Sequence, residues 1–377
     1  MKRIMISAGE ASGDMHAANI IKALRTYNEE IEFYGMGSQQ LRDAGANLLV
    51  DSSDIAVVGI VEVLFHYNKI IKALNILRES LRSNPPDLLV LVDYQEFNFK
   101  LAETAKELGI KVLFYISPQI WAWRPKRVYK IGKIIDMMAV ILPFEERYYK
   151  EANVPVRFVG NPLVDKAKAD KDKQSCMTEF NLDSDKTVVG LFPGSRRGEI
   201  QRILPLQLAA AEIIKKDKVD CQFILPIASS LNEALFTDYL QAHSHLDIKL
   251  VKDLPYNVIQ CCDAIISASG TATLEIALMG IPYCISYKVA TLSYIILRPL
   301  IKIDRIGLVN IIAGKDVVKE FIQFEAKPQA IADEINLILD NNEYREKMIK
   351  ELNDVRNLLG KTGGSDNMAK LILEMLA

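Results

Sequence analysis

Asp93 closes the apolar run Asp87-Leu-Leu-Val-Leu-Val-Asp93, and a carboxylate at the carboxyl end of a buried strand points into a cleft. A side chain there can take a proton from an alcohol, an effect worth roughly 10²–10⁴-fold in rate. The competing reading is an aspartate that caps a helix. Glu96 and Asn98 add polar groups just after it. His16 is a rival base, ranked below Asp93 because a lone histidine is more often structural. Phe192-Pro193-Gly194-Ser195-Arg196-Arg197-Gly198-Glu199 follows an apolar run and precedes helical sequence. Gly194 frees backbone N–H groups to turn toward a ligand, the helix N-terminus adds partial positive charge, and Arg196 and Arg197 offer forked donors to phosphate. An ordinary turn with solvated arginines is the alternative. Ser267-Ala268-Ser269-Gly270-Thr271-Ala272-Thr273-Leu274-Glu275 repeats the arrangement. There Ser269, Gly270 and Thr271 open a helix, and Glu275, one turn on, is placed to accept from ribose hydroxyls or merely to gain from the helix dipole. Two anion-friendly loops in one half predict a diphosphate nucleotide. The G-x-x-x-x-G-K-[ST] pattern is missing, which argues against ATP hydrolysis.

The loop Gly9-Glu10-Ala11-Ser12-Gly13-Asp14 carries two acids that would repel a pyrophosphate. It reads as a cradle for a neutral, hydroxyl-rich or amide-bearing group. Gly35-Met36-Gly37 is a weaker echo, read as a turn. The Asp-x-Asp pairs at Asp170–Asp172 and Asp183–Asp185 lie in polar sequence and read as solvated charge. Five cysteines without a C-x-x-C pair, and four scattered histidines, compose no zinc set. A reduced compartment is expected, with no metal and no cofactor.

Two stretches suggest a membrane surface. Val57–Leu77 is apolar nearly all round, which an all-round buried helix would equally explain. Ile120-Trp121-Ala122-Trp123-Arg124-Pro125-Lys126-Arg127 sets two tryptophans beside cations, the neighbours an interface or lipid phosphate favours.

The elements that must position these residues alternate in period. Strands are expected at Ile4–Ser7, Ile31–Tyr34, Asp87–Asp93, Val112–Ile116 and Met138–Leu142, with helical sequence after each. The polar stretch Asp165–Asp185 reads as a linker or surface excursion. Alternation restarts at Thr187–Phe192, Gln222–Leu225, Lys249–Val251, Ala264–Ser267 and Tyr283–Tyr287. The pattern predicts an α/β fold of two Rossmann-like doubly wound domains facing a cleft, 1–165 and 166–359. A last helix, Asn367–Leu376 after Gly363-Gly364, could pack on either half.

The chain has 377 residues and a formal net charge of −2, so it carries no global field for gripping nucleic acid, and any anion binding is local. Its 50% hydrophobic and 25% charged composition excludes disordered and collagen-like classes. The apolar run Ile4–Ile6 is too short for a signal peptide. The longest apolar candidate, Ile281–Ile303, is broken by Lys288, Arg298 and Pro299 before it reaches the ~18 residues a span needs. A cytoplasmic chain able to lie on a membrane is expected.

Gly9–Asp14, Val58–Leu64 (VGIVEVL), Ile116–Val128 (ISPQIWAWRPKRV), Phe192–Glu199 and Ser269–Glu275, with Leu308–Gly314 (LVNIIAG), together resemble the lipid-A-disaccharide synthase family from about residue 4 to the C-terminus. The resemblance implies a two-domain, inverting, metal-independent glycosyltransferase of the glycosyltransferase-B architecture. It would join UDP-2,3-diacylglucosamine to 2,3-diacylglucosamine 1-phosphate (lipid X) through a β(1→6) bond and release UDP. It implies that Asp93 is the base, and that Gly9, Glu10, Ser12, Gly13, Asp14, Glu96, Asn98, Trp123 and Arg124 lie toward the acceptor. Gly194, Ser195, Arg196, Arg197, Ser269, Gly270, Thr271, Glu275, Asn310, Glu320 and Gln323 would surround UDP. Val61, Val63, Leu64, Ile70 and Ile71 would dock on the cytoplasmic face of the inner membrane. The last helix (360–377) would complete the first domain. The chain departs from the family pattern in three places: Gln95-Glu96 stands where Pro-Asp is usual, Asn161 where histidine is usual, and Gly37-Ser38 where a more glycine-rich turn is expected. A UDP-sugar epimerase of the same architecture, or a membrane-docked non-catalytic binder, remains the alternative.

Overall fold

The computed structural model describes residues 1–27, 30–55, 60–123, 125–290, 294 and 305–377, excluding the side chains of residues 60–66 and 123. It divides into two units, Met1–Pro162 with Leu359–Ala377, and Leu163–Leu358. Among the described residues, unit 1 holds seven strands: β1 (Lys2–Ala8), β2 (Ile31–Gly37), β3 (Asn47–Asp51), β4 (Leu88–Val92), β5 (Lys111–Tyr115), β6 (Met137–Val140) and β7 (Val156–Phe158). They form one parallel sheet in the order β3-β2-β1-β4-β5-β6-β7. A parallel strand covered on both faces needs an unbroken apolar run, and β4, Leu-Leu-Val-Leu-Val, is buried throughout. Its alternate residues serve opposite cores. Leu89 and Leu91 join Ala73, Leu74, Leu77 and Leu81 of the Ile60–Ser83 helix. Leu88, Val90 and Val92 join Ile20, Ile21 and Leu24 of the Ala11–Tyr27 helix and Met368, Leu371 and Ile372 of the Gly364–Leu376 helix.

Unit 2 holds β8 (Thr187–Phe192), β9 (Cys221–Ile227), β10 (Ile248–Lys252), β11 (Ala264–Ala268), β12 (Tyr283–Tyr287) and β13 (Glu320–Ile322). Its parallel sheet runs β10-β9-β8-β11-β12-β13. In each sheet the strand order reverses once, between β1 and β4 and between β8 and β11. Ligands of doubly wound sheets bind beyond the carboxyl ends of the strands at that reversal.

Several expectations are corrected. β3, β7 and β13 are strands that the apolar runs do not announce, because each is short and only partly covered. Gly35-Met36-Gly37 is no turn but the end of β2. Gly35 has φ +140°, a Cβ there would overlap the Ile6 carbonyl, and the pairing with β3 shifts register at this point. Asp165–Asp185 is not a linker. It contains a helix, Lys173–Glu179, whose Cys176 and Met177 are buried and whose N-cap Asp172 accepts from Ser175 N at 3.0 Å. Gln222 of β9 ties down the following turn by donating to Asp183 O at 2.6 Å. In its described part, the Ile60–Ser83 helix is amphipathic rather than apolar all round: Lys69, Lys72 and Asn75 are exposed while Leu74, Leu77 and Leu81 are buried.

Candidate active site

Asp93 and Tyr94 follow β4 at the strand-order reversal of unit 1, beside the Gly9-Glu10 loop that follows β1. Asp93 (φ 48°), Tyr94 (φ 44°) and Ile116 (φ 69°) all adopt left-handed backbone, which costs of order 1–3 kcal/mol each for residues other than glycine. Neighbours enforce the conformation. Asp93 N donates to Tyr115 O at 3.0 Å, and Ile116 N to Ala139 O at 3.0 Å. Asn98 Nδ2 donates to Asp93 O at 2.7 Å. Gly9 is required because a Cβ there would overlap the Tyr94 ring. Burial and the nearby Glu10 charge push the Asp93 carboxyl up to about 6, toward the range of an effective general base.

The other residues of this group divide by burial. Gly9 is buried in the turn itself, while Glu10 and Ser12 are exposed. Gly13 is buried 3.5 Å, as measured from an added Cβ, from Val92 O, a packing position. Asp14 does not line a cradle: it is fully buried and accepts from Ser38 N (2.6 Å), Ser38 Oγ (2.7 Å) and Gln40 N (3.0 Å), holding the start of the Gln39–Asp43 helix. Asn98 is likewise buried, its Oδ1 accepting from Ser7 Oγ at 2.6 Å, so it braces the Asp93 turn from behind. Glu96 is exposed and paired with Arg127, whose guanidinium lies over the Phe99 ring. His16 packs edge-on to Tyr115 at 6.3 Å. Trp121 is not an interface residue. It is buried, meets Phe144 edge to face at 5.1 Å, and donates Nε1–H to Glu145 Oε1 at 3.3 Å. The Trp123 side chain and Arg124 lie outside the described residues, as do the side chains of Val61, Val63 and Leu64. Ile70 packs against the core. Ile71 lines an open groove with Leu49, Lys72 and Ile76.

In unit 2 a pocket of about 500 Å³ opens at the reversal point between β8 and β11. The two glycine loops form facing walls, Pro193–Arg196 with Glu199 and Ser269–Thr271 with Glu275, and Pro226–Ser229, Asp253 and Pro255 complete it. Glu275 is oriented by Tyr256, whose hydroxyl donates to Oε1 at 2.7 Å. Gln207, fully buried, donates to Phe192 O (3.3 Å), Ile266 O (3.0 Å) and Ser286 Oγ (3.3 Å), fastening β8, β11 and β12 beneath the pocket floor. Arg196 lines the pocket and Arg197 does not. The Ser195 and Arg196 N–H groups are not open: both donate to Glu199 Oε2, at 3.1 and 3.3 Å.

Asn310, Glu320 and Gln323 do not line this pocket. Asn310 is buried, accepting from Val317 N (2.8 Å) and Val318 N (3.0 Å) and donating to Glu320 Oε1 (2.8 Å). Glu320 also accepts from Ile306 N and Gly307 N, and Ile306 O receives Ser269 Oγ at 3.5 Å. Asn310 and Glu320 thus stand behind the Ser269 turn. Gln323 is buried and bonds Val289 through both ends of its amide. Tyr256, Gln207 and the loops after β9 and β10 lie outside the sequence motifs, and Glu199 stands in the Phe192–Glu199 motif with no role given to it there. Only Glu199 had a signal, the acid three residues past a helix start that marks a capping box.

The family model described as lipid-A-disaccharide synthetase matches residues 4–374. The chain is 49% identical over 374 residues to the lipid-A-disaccharide synthase of Geobacter sulfurreducens, covering 99% of this chain and 97% of that one. Among solved structures it is similar to a UDP-GlcNAc 2-epimerase from Neisseria meningitidis bound to UDP-GlcNAc (TM-score 0.66, 16% identity, 100% and 99% coverage). It is also similar to the calicheamicin glycosyltransferase (TM-score 0.63, 14% identity, 100% and 98% coverage).

Proposed function

The chain belongs to the lipid-A-disaccharide synthase family, and on that premise we propose that it transfers 2,3-diacylglucosamine from UDP to the 6-hydroxyl of lipid X. The epimerase likeness is one of fold alone, and a relative aligned over nearly its whole length carries the synthase name. The observation that carries the mechanism is Asp93, a carboxylate raised to about 6 on a strained turn at the strand-order reversal. Ionised Asp93 takes the proton from the acceptor hydroxyl as its oxygen attacks the anomeric carbon. The bond from that carbon to the diphosphate breaks on the opposite side, and UDP leaves with the electron pair, inverting the centre.

The unit 2 pocket holds the nucleotide. Glu275, steadied by Tyr256, accepts from the ribose hydroxyls, while the Ser269-Gly270-Thr271 turn and Arg196 receive the phosphates. Asn310 and Glu320 act through the segment behind that turn. On unit 1, Glu10 and Ser12 are the exposed groups of the first loop available to acceptor hydroxyls. No helix among the described residues is long and apolar enough to cross a membrane, so access to acylated sugars is assigned to reversible docking. Exposed Tyr67, Leu49 and Ile76 beside Lys72 support a docking role for the Ile60–Ser83 helix and its surroundings on the cytoplasmic face of the inner membrane.

The test is incubation with UDP-2,3-diacylglucosamine and lipid X, without added divalent metal, followed by mass spectrometry. Disaccharide 1-phosphate plus UDP is expected. Loss of the donor without disaccharide would assign hydrolysis or another acceptor instead.

A further inference from the structure

The pocket assigned to UDP has a charge problem. Among the described residues, its walls carry three carboxylates, Glu199, Asp253 and Glu275, and one guanidinium, Arg196. Glu275 has a task on the ribose and a tyrosine partner. Glu199 occupies the very donors a phosphate would use: Oε2 accepts from Ser195 N at 3.1 Å and Arg196 N at 3.3 Å, and Oε1 lies 3.5 Å from the Arg196 guanidinium. A Cβ on Gly194, at φ +109°, would overlap this carboxylate, so the glycine leaves room for it. Glu199 is the third residue of the Arg197–Asp217 helix, and its side chain is about a third exposed, free to turn outward.

We propose that Glu199 is an internal stand-in for the nucleotide's phosphate, holding the Ser195–Arg196 amides and the Arg196 guanidinium until the donor displaces it and reclaiming them as UDP departs. This deepens the reading of the pocket as a UDP site and rests on it. The carboxylate keeps the amides paired and aligned while the pocket is empty, where bare N–H groups would invite a misfolded loop. Its repulsion then weakens the hold on the leaving diphosphate, which favours turnover over product retention. Arg196 changes partner, from carboxylate to phosphate.

Glu199→Gln keeps an acceptor for the capping N–H groups and removes the charge. Calorimetric titration of the purified chain with UDP and with uridine, alongside thermal melts, separates the possibilities. The expected result is UDP binding tightened about fivefold at low salt, the size of one like-charge contact at a solvent-exposed site. The gain should shrink in high salt, and uridine binding should not change. UDP inhibition of the transferase should strengthen by the same factor. Unchanged or weaker UDP binding in a variant that melts like the wild type overturns the proposal. So does a wild-type affinity that rises with Mg²⁺ and loses that response in Glu199→Gln, since Glu199 would then be a metal ligand. Should the wild type bind neither UDP nor uridine, the pocket reading itself fails and takes the proposal with it. Glu199→Ala, with no acceptor, should melt lower yet still favour UDP over the wild type.

Discussion

Asp93 ties activity and stability to the same proton. Its carboxyl titrates near 6 in the folded chain, above the ordinary aspartate value, because burial and Glu10 disfavour the charge. In its proposed role as base Asp93 works only when ionised, so log kcat/KM should fall with unit slope as pH drops below about 6, and Asp93→Asn should lose roughly 10²–10⁴-fold in rate. The stability effect runs the other way. A raised carboxyl pKa means the folded state holds a proton the unfolded state has released. Stability from this group is therefore present below the unfolded value and lost as pH rises through about 6. Asp93→Asn should accordingly melt higher than the wild type at pH 7–8, with the gap closing near pH 4; a lower melting point at neutral pH would contradict the burial argument. Asp93 itself was legible, because an acid ending Leu-Leu-Val-Leu-Val has few places to point. Asp14 and Asn98 were not, since their motif positions adjoin the site while their side chains turn inward to backbone groups that a linear reading does not reveal.

At the scale of elements, both sites depend on loops that leave parallel strands at a reversal of order, and those strands are held by polar bolts. Gln207 is the clearest: it donates to groups on three strands from a fully buried position. Gln207→Leu should cost about 1–3 kcal/mol in urea denaturation by leaving buried acceptors unpaired, and it should weaken UDP binding as the two pocket walls lose their common anchor. The Ile60–Ser83 helix makes a different demand. Leu64→Asp should reduce sedimentation with anionic liposomes several-fold without lowering turnover of detergent-dispersed substrate, and unchanged sedimentation would remove this segment from the docking surface. Buried strands were readable from their apolar runs, and of the four edge strands among the described residues only β10 was. β3, β7 and β13 pair on one side only and are incompletely covered, so their short sequences look like loops. The Lys173–Glu179 helix was masked similarly, having only Cys176 and Met177 to bury.

Across the whole molecule, the chain leaves unit 1 at Pro162, builds unit 2 and returns at Leu359. Exit and return are stitched together: Asn161 N donates to Leu359 O at 3.0 Å, and Gly160 and Gly360, at φ 92° and 93°, allow near backbone contact. Asn161, at the position where the family carries histidine, is buried here and donates Nδ2–H to Ile141 O. The returning Gly364–Leu376 helix then packs on the Ala11–Tyr27 helix, fixed at its rim by Tyr27–Asp366 and Arg157–Glu374. Removing residues 364–377 should abolish the melting transition of unit 1 while unit 2 unfolds as before; a single unchanged transition would deny the helix its place in that core. The same route sets a timetable during synthesis. Ribosomes add about 5–20 residues per second, so roughly 10–40 s separate the emergence of Pro162 from that of Leu359. Throughout that interval Ile20, Ile21 and Leu24 have no Met368, Leu371 or Ile372 to lie against. Unit 2 can finish folding while unit 1 is still waiting for its lid, and the nascent chain's need for chaperone cover falls in that wait, on residues that end up among the most deeply enclosed of the mature protein.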